Sequence, residues 1–194
     1  MKKLLLIIPI VLIVLTSFYF LKPVKTIYIQ PLGEVSPEYI ALVKKSIKTF
    51  YGFECIIKPE KSITKNMLSP IRKRIDADKA ILQNLSFDNY IIITEKDICH
   101  RKDQNNTEYG ILGLGGICGK TCIISTFRLK RKVSKQKILE RLEKVALHEI
   151  GHNLGLNHCE NNNKCMMSSA KGAISQVDYE GVWFCEKCMK QIKK

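Results

Sequence analysis

Residues 148–158 read HEIGHNLGLNH, a run that places three imidazoles and one carboxylate within eleven positions. His148 and His152 are four residues apart, so on a helix both rings project from one face and can bind one Zn²⁺. Glu149 sits one step round that helix, placed to reach a water on the metal rather than the metal itself. Gly155 can adopt a left-handed conformation and end the helix, which lets the chain turn and bring His158 in as a third nitrogen. Three protein ligands leave a fourth position for water, the mark of a catalytic rather than a closed zinc site. The chemistry implied is hydrolysis: zinc activates a water and Glu149 serves as its general base. Only four histidines occur in the chain and three lie in this run; the fourth, His100, is expected on a loop or surface. A helix with ordinary surface histidines is the bland alternative, and the added Gly155 and His158 at these offsets argue against it. A purely structural zinc site is a second alternative, but it would have no use for Glu149.

A second constellation follows at once. Cys159 succeeds His158, Cys165 comes after the polar segment 160–164, and Cys185 and Cys188 form a C-x-x-C. Two close thiol pairs fit a closed tetrahedral Cys₄ zinc site, which would staple a tail with little core of its own. Two disulfides or free thiols are the competing reading, and an oxidising compartment would favour the former. Cys55, Cys99, Cys118 and Cys122 carry less information: some could pair under oxidising conditions, and buried free thiols suit them equally well.

The stretch from His148 to Cys188 resembles the archaemetzincins, a branch of the metzincin zinc peptidases. Their pattern is the long zinc motif, a cysteine directly after it, a second cysteine opening C-x-M, seventeen residues, then C-x-x-C. Here Cys165-Met166-Met167 supplies C-x-M and residues 168–184 are the seventeen. Weaker likeness extends upstream through Pro31-Leu32-Gly33, residues 94–98 and residues 125–129, so it covers the chain from about Thr26 onward. One departure is clear: the family usually has four residues between its first two cysteines, and this chain has five. The extra residue falls in the polar run 161–164, where a loop can absorb it. The resemblance implies a zinc peptidase with two zinc ions per chain, one catalytic on His148, His152 and His158, one structural on Cys159, Cys165, Cys185 and Cys188. It also implies that Met167 is the Met-turn residue beneath the catalytic zinc, with Met166 as the competing candidate. Tyr179 is considered as an oxyanion donor, against the plainer reading of a packed or surface tyrosine. By the same resemblance, Thr121–Phe127 is a candidate edge strand for an extended substrate.

These residues need a scaffold, and the rest of the chain is long enough to supply one. With 194 residues and 45% hydrophobic content, a single core forms without help from disulfides. Strands are expected at Thr26–Leu32, Phe53–Ile57, Tyr90–Thr94 and Thr121–Phe127. Helices are expected at Glu38–Tyr51, Asp76–Leu85 and, carrying the zinc motif, Lys135–Leu154. Asp103–Thr107 reads as a polar turn, Tyr109–Gly119 as glycine-rich and irregular, and the tail from Cys159 as irregular to about Glu186. The order implies an α+β fold: a metzincin-like mixed sheet with a long active-site helix and a zinc-stapled C-terminal segment, residues 25–194 forming the peptidase domain.

Residues 1–24 read differently. Lys2 and Lys3 precede an uninterrupted uncharged run from Leu4 to Leu21, eighteen residues long, near the length of about 20 that spans a bilayer. Bulky Phe18, Tyr19 and Phe20 close it where a signal peptidase wants small residues, so a single-pass signal anchor with an extracytoplasmic catalytic domain is expected, secretion after cleavage being the alternative. The net charge of +14 could draw anionic lipid, nucleic acid or acidic peptides, but a lysine-rich solvated surface is the simpler account. No P-loop, G-x-G-x-x-G or aromatic-interleaved basic stretch occurs, so nucleic acid is not an expected partner. A monomer acting on peptide or protein is expected, and a membrane-tethered, zinc-organised module that binds peptide with little turnover is the second function class.

Overall fold

The computed structural model describes residues 25–86, 88–101 and 107–192. The chain opens with strand β1 (Thr26–Pro31), helix α1 (Pro37–Tyr51) and strand β2 (Glu54–Ile57). Strand β3 (Ile75–Asp76), helix α2 (Ala77–Leu82) and strands β4 (Asn89–Thr94), β5 (Ile98–Arg101), β6 (Glu108–Ile111), β7 (Gly113–Gly115) and β8 (Thr121–Ser125) follow. The long helix α3 (Lys135–Asn153) then leads into a tail holding α4 (Ile174–Tyr179) and α5 (Glu186–Ile192). The main sheet has the order β2-β1-β4-β8-β7, parallel except for β7, which runs antiparallel to β8 at one edge. A small sheet, β3-β5-β6, lies beside it.

The strand sequences explain the layering. Ile91 and Ile93 of β4, with Cys122 and Ile124 of β8, face a core shared with α1 and α3. Ile92 and Ile123 between them face a second core closed by Leu32, Met67, Ile75, Ala77 and Ile98. A strand buried on both faces reads as an unbroken apolar run, which is why YIIIT does not alternate. Helix α1 begins with Pro37, whose missing N–H costs nothing in the first turn, and ends at Gly52, in a left-handed conformation at φ 69°. Helix α3 starts at the Ser134 cap, whose side chain accepts the Lys137 N–H, and buries Leu142, Val145, Ala146 and Ile150.

The mixed α+β architecture agrees with the sequence expectation. Several elements differ. The stretch expected to be irregular from Tyr109 contains β6 and β7, because pairing with β5 and β8 outweighs the poor strand propensity of glycine. The expected helix Asp76–Leu85 is only Ala77–Leu82, with Asp76 serving as its cap. The tail gains α4, which the sequence reading left irregular. The expected polar turn falls on residues 103–107, of which only Thr107 is among the described residues. β8 is not an edge strand, since β4 and β7 flank it; the edge belongs to β7.

The membrane assignment is corrected as well. Residues 1–24, on which it was read, lie outside the described residues, and among those described no helix is long and apolar enough to cross a membrane. The longest of them, α3, carries Lys135, Lys137, Glu140, Arg141, Glu143 and Lys144 in its first half, far too much charge for hydrocarbon.

Candidate metal centre and active site

Helix α3 delivers His148, Glu149 and His152 in its last turns and then stops by a specific device. Gly155 takes φ 96°, its N–H bonds the His152 carbonyl at 2.9 Å, and the Leu156 N–H bonds the Gly151 carbonyl at 3.0 Å. This crossed pair satisfies two of the helix's orphan carbonyls and reverses the chain, with Leu156 buried behind it. The reversal brings exposed His158 back to the histidine face. One ring nitrogen from each of His148, His152 and His158 lies within 4.8 Å of the others.

The tautomers are set by backbone carbonyls. His148 Nδ1 is 2.6 Å from the Met166 carbonyl oxygen, and His152 Nδ1 is 2.7 Å from that of Leu156. A carbonyl only accepts, so each Nδ1 carries the proton and each Nε2 presents a lone pair. Burial, with His152 and His158 nearby, drives the His148 imidazole down to about 3, and burial lowers that of His152 too. Both rings are therefore neutral near pH 7, the form that ligates a metal.

Glu149 is buried beside them. Desolvation pushes its carboxyl up to about 8, opposed by a hydrogen bond from the Gly115 backbone N–H. Behind the histidines, Met167 fills the groove left by Gly151: a Cβ there would stand 2.6 Å from Met167 Sδ. Met166 is equally buried, but its nearest link to the site is its backbone carbonyl on His148.

The four tail cysteines also converge. Sγ separations are 3.6 Å for Cys159–Cys185, 3.6 Å for Cys185–Cys188 and 3.9 Å for Cys165–Cys188. A disulfide requires about 2.05 Å. Four sulfurs placed tetrahedrally about 2.3 Å from one zinc ion would stand about 3.8 Å apart, so this geometry fits the metal and not the disulfide alternative. The extra residue between Cys159 and Cys165 is taken up in a turn where the Cys165 N–H bonds the Asn162 carbonyl. The Cys159 N–H bonds the Met167 carbonyl at 2.7 Å, and the Met166 N–H bonds that of Trp183 at 2.9 Å, tying this cluster to the histidine site.

The remaining sequence candidates sit elsewhere. His100 is in β5, 2.7 Å from Asp78. Cys55, Cys99 and Cys122 are buried free thiols, and Cys118 is an exposed one. Tyr179 ends α4 largely exposed, its ring under Lys164 Nζ. Sequence reasoning missed three contributors: the glycines of β7 that border Glu149, the carbonyls that orient the histidines, and a tether from α3 to the tail. In that tether Arg141 makes two bonds to Asp178, at 2.8 and 2.7 Å, and Lys144 Nζ donates to the Val177 carbonyl. The alternation Gly-Leu-Gly was the one available signal for the first.

Peptidase family M54 matches residues 72–194, more than half of the chain. The chain belongs to peptidase family M54. It is accordingly a zinc metallopeptidase. The archaemetzincin of Methanocaldococcus jannaschii is 31% identical over 173 residues, covering 86% of this chain and 92% of that protein. That of Halobacterium salinarum is 26% identical over 175 residues, covering 84% and 97%. The crystal structure of the Archaeoglobus fulgidus archaemetzincin, complexed with malonate, superposes with a TM-score of 0.74 at 29% identity, covering 86% of this chain and 99% of that one. The M54 relationship thus spans nearly the whole of these relatives. No helix among the described residues is long and apolar enough to cross a membrane, and the assignments to a membrane or to secretion are set aside.

Proposed function

We propose that this M54 peptidase hydrolyses peptide bonds with His148, His152 and His158 holding the catalytic zinc and Glu149 acting as general base. The observation that carries this reading is the convergence of three imidazole nitrogens within 4.8 Å beside a buried carboxylate of the same helix. Zinc bound there supplies a Lewis acid that makes water more acidic and polarises a carbonyl. Glu149 takes a proton from the attacking water and passes it to the departing amine. The Met166 and Leu156 carbonyls keep the two helical imidazoles turned with Nε2 toward the site.

The Cys₄ cluster serves as a structural zinc site with no open position, giving two ions per chain. Its role is to fix the segment that carries the Met166 carbonyl, and through it the ring of His148. Met167 packs beneath the histidines and does not ligate. Residues 25–194 act as one catalytic unit. An extended peptide adds as a further strand on the free edge of β7, which borders Glu149.

The test is Glu149→Gln. The variant should retain the zinc content of the wild type and lose cleavage of a mixed peptide library by at least about 10²-fold. Undiminished cleavage would remove Glu149 from the role of base.

A further inference from the structure

Of the three residues of β7, only Leu114 has a side chain. Leu114 pairs with Ile123 and packs on the second core, so strand alternation turns Gly113 and Gly115 to the opposite face, toward α3. There both meet Glu149. A Cβ on Gly113 would stand 2.6 Å from Glu149 Oε1, 2.7 Å from Cγ and 2.9 Å from Cδ. A Cβ on Gly115 would stand 2.8 Å from the Glu149 carbonyl oxygen and 3.1 Å from Oε2, and the Gly115 N–H already bonds the carboxylate. Gly116, the next residue, would meet nothing nearer than 3.9 Å. The clearance at Gly113 and Gly115 is thus taken up chiefly by Glu149, with Cys122 Cβ 3.3 Å from the Gly115 position, and is not general looseness of a glycine-rich stretch.

We propose that Gly113 and Gly115 are positioning residues for the peptidase reaction, their bare face forming the seat that fixes the Glu149 carboxylate beside the histidines. The proposal deepens, and rests on, the assignment of Glu149 as base. A glutamate on a helix has several staggered rotamers, and burial alone selects none of them. Here the strand backbone closes one side, and the Gly115 N–H fixes an oxygen. A methyl group at either glycine forces the carboxylate aside or parts β7 from α3. Glycine weakens a strand interior, so its use at two alternate positions in an edge strand calls for such a close approach. The β7 backbone groups that would pair with a peptide survive a change to alanine. The defect should therefore fall on turnover more than on binding.

The experiment compares Gly113→Ala, Gly115→Ala and the control Gly116→Ala in the zinc-loaded enzyme, alone and combined with Glu149→Ala. Gly113→Ala should lower kcat roughly 10–100-fold with KM changed less than about threefold, at unchanged zinc content. Its melting temperature should fall by on the order of 5 °C. Gly115→Ala should behave similarly, and Gly116→Ala like the wild type. In the Glu149→Ala background, where the obstructing side chain is gone, Gly113→Ala should shift the melting temperature little. An effect confined to KM would overturn the proposal, as would an equal melting shift of Gly113→Ala with and without the Glu149 side chain; Gly115→Ala, whose methyl meets the Glu149 backbone oxygen, is read by kcat alone. Should Gly113→Ala alone fail to fold, recovery of folding and zinc binding in the double variant would support the seat, and failure of both would overturn it. Full activity in Glu149→Gln would overturn the base assignment itself, a result separate from the melting cycle, which needs no turnover.

Discussion

The two ligand clusters lie side by side and are built on opposite plans. The histidine cluster is local: two imidazoles on one helix turn, a third just beyond a glycine reversal, all within residues 148–158. Its third histidine, His158, is exposed, and among the described residues three imidazoles converge. The cysteine cluster is distributed, drawing residues 159, 165, 185 and 188 together across the whole tail, with their four sulfurs within 4.8 Å of one another. The first is held by a rigid helix and opens to solvent at His158. The second has no room and gives the tail the core it lacks. On the proposed reading this chain divides chemistry and stability between the two clusters, and each should fail in its own way.

The largest separation should come from His152→Ala. Loss of a helical ligand should cost at least about 10⁴-fold in peptide cleavage, on the order of 5 kcal/mol at the transition state. Metal analysis should show one zinc fewer per chain and a melting temperature close to that of the wild type. Brief exposure to a chelator should do the same, because the site with an open position exchanges first. A coincident loss of both ions would break the distinction between the clusters.

Cys188→Ser should show the reverse pattern. Removing one of four thiolates should release the tail zinc and cost about 4 kcal/mol of stability or more, read from denaturant unfolding. Activity should fall by only about 10–100-fold, through loosening of the Met166 carbonyl that orients His148. A loss of cleavage as deep as that of His152→Ala would mean that the tail takes part in the chemistry.

The histidine cluster was legible in the sequence because its ligands and their turn are neighbours in the chain, so helix period and a single glycine suffice to place them. The cysteine cluster was legible as spacing and by likeness, but distances were needed to separate metal from disulfide. What stayed hidden is non-local. Whether a Gly-Leu-Gly segment is a loop or a strand depends on β8 pairing with it, and which strand forms the edge depends on that same pairing. The carbonyls of Met166 and Leu156 are invisible because every residue has one. The apolar run Leu4–Leu21 was legible only as composition, and composition gave a cellular address that neither the described residues nor the M54 relatives support.

The tether between the two regions gives the third prediction. Arg141, on α3, holds Asp178, in the tail, with two hydrogen bonds, and this arginine keeps the Asp178 carboxyl below its usual value, more than its partial burial and Lys137 alter it. A depressed carboxylate stabilises the fold above its unfolded pKa of about 3.9, and the contribution is lost as pH falls through the lower, folded value. Arg141→Met should cost about 2 kcal/mol near neutrality, leaving the Leu129 carbonyl without its donor and Asp178 without its main partner. The cost should shrink as acid protonates Asp178, so the wild-type and variant stability curves should draw together below about pH 4, leaving the pH-independent part due to the Leu129 carbonyl. Zinc content should match that of the wild type, which would place the tether between the clusters without belonging to either.

The smallest effect should come from Gly155, yet it probes the plan of the histidine site most directly. At φ 96° an L side chain is strained, and a Cβ would also stand 3.2 Å from Cys118 Sγ. Gly155→Ala should therefore cost about 1 kcal/mol. Gly155→Asn should recover part of that, since asparagine tolerates the left-handed region better. The local plan adds a second expectation. The reversal at Gly155 carries the third ligand, so the strain should weaken zinc affinity at the histidine cluster while the cysteine cluster keeps its ion. Competition with a chromogenic chelator measures the two sites separately. Equal weakening at both would mean that the reversal supports the whole C-terminal region, and that the two clusters are less independent than their geometry implies.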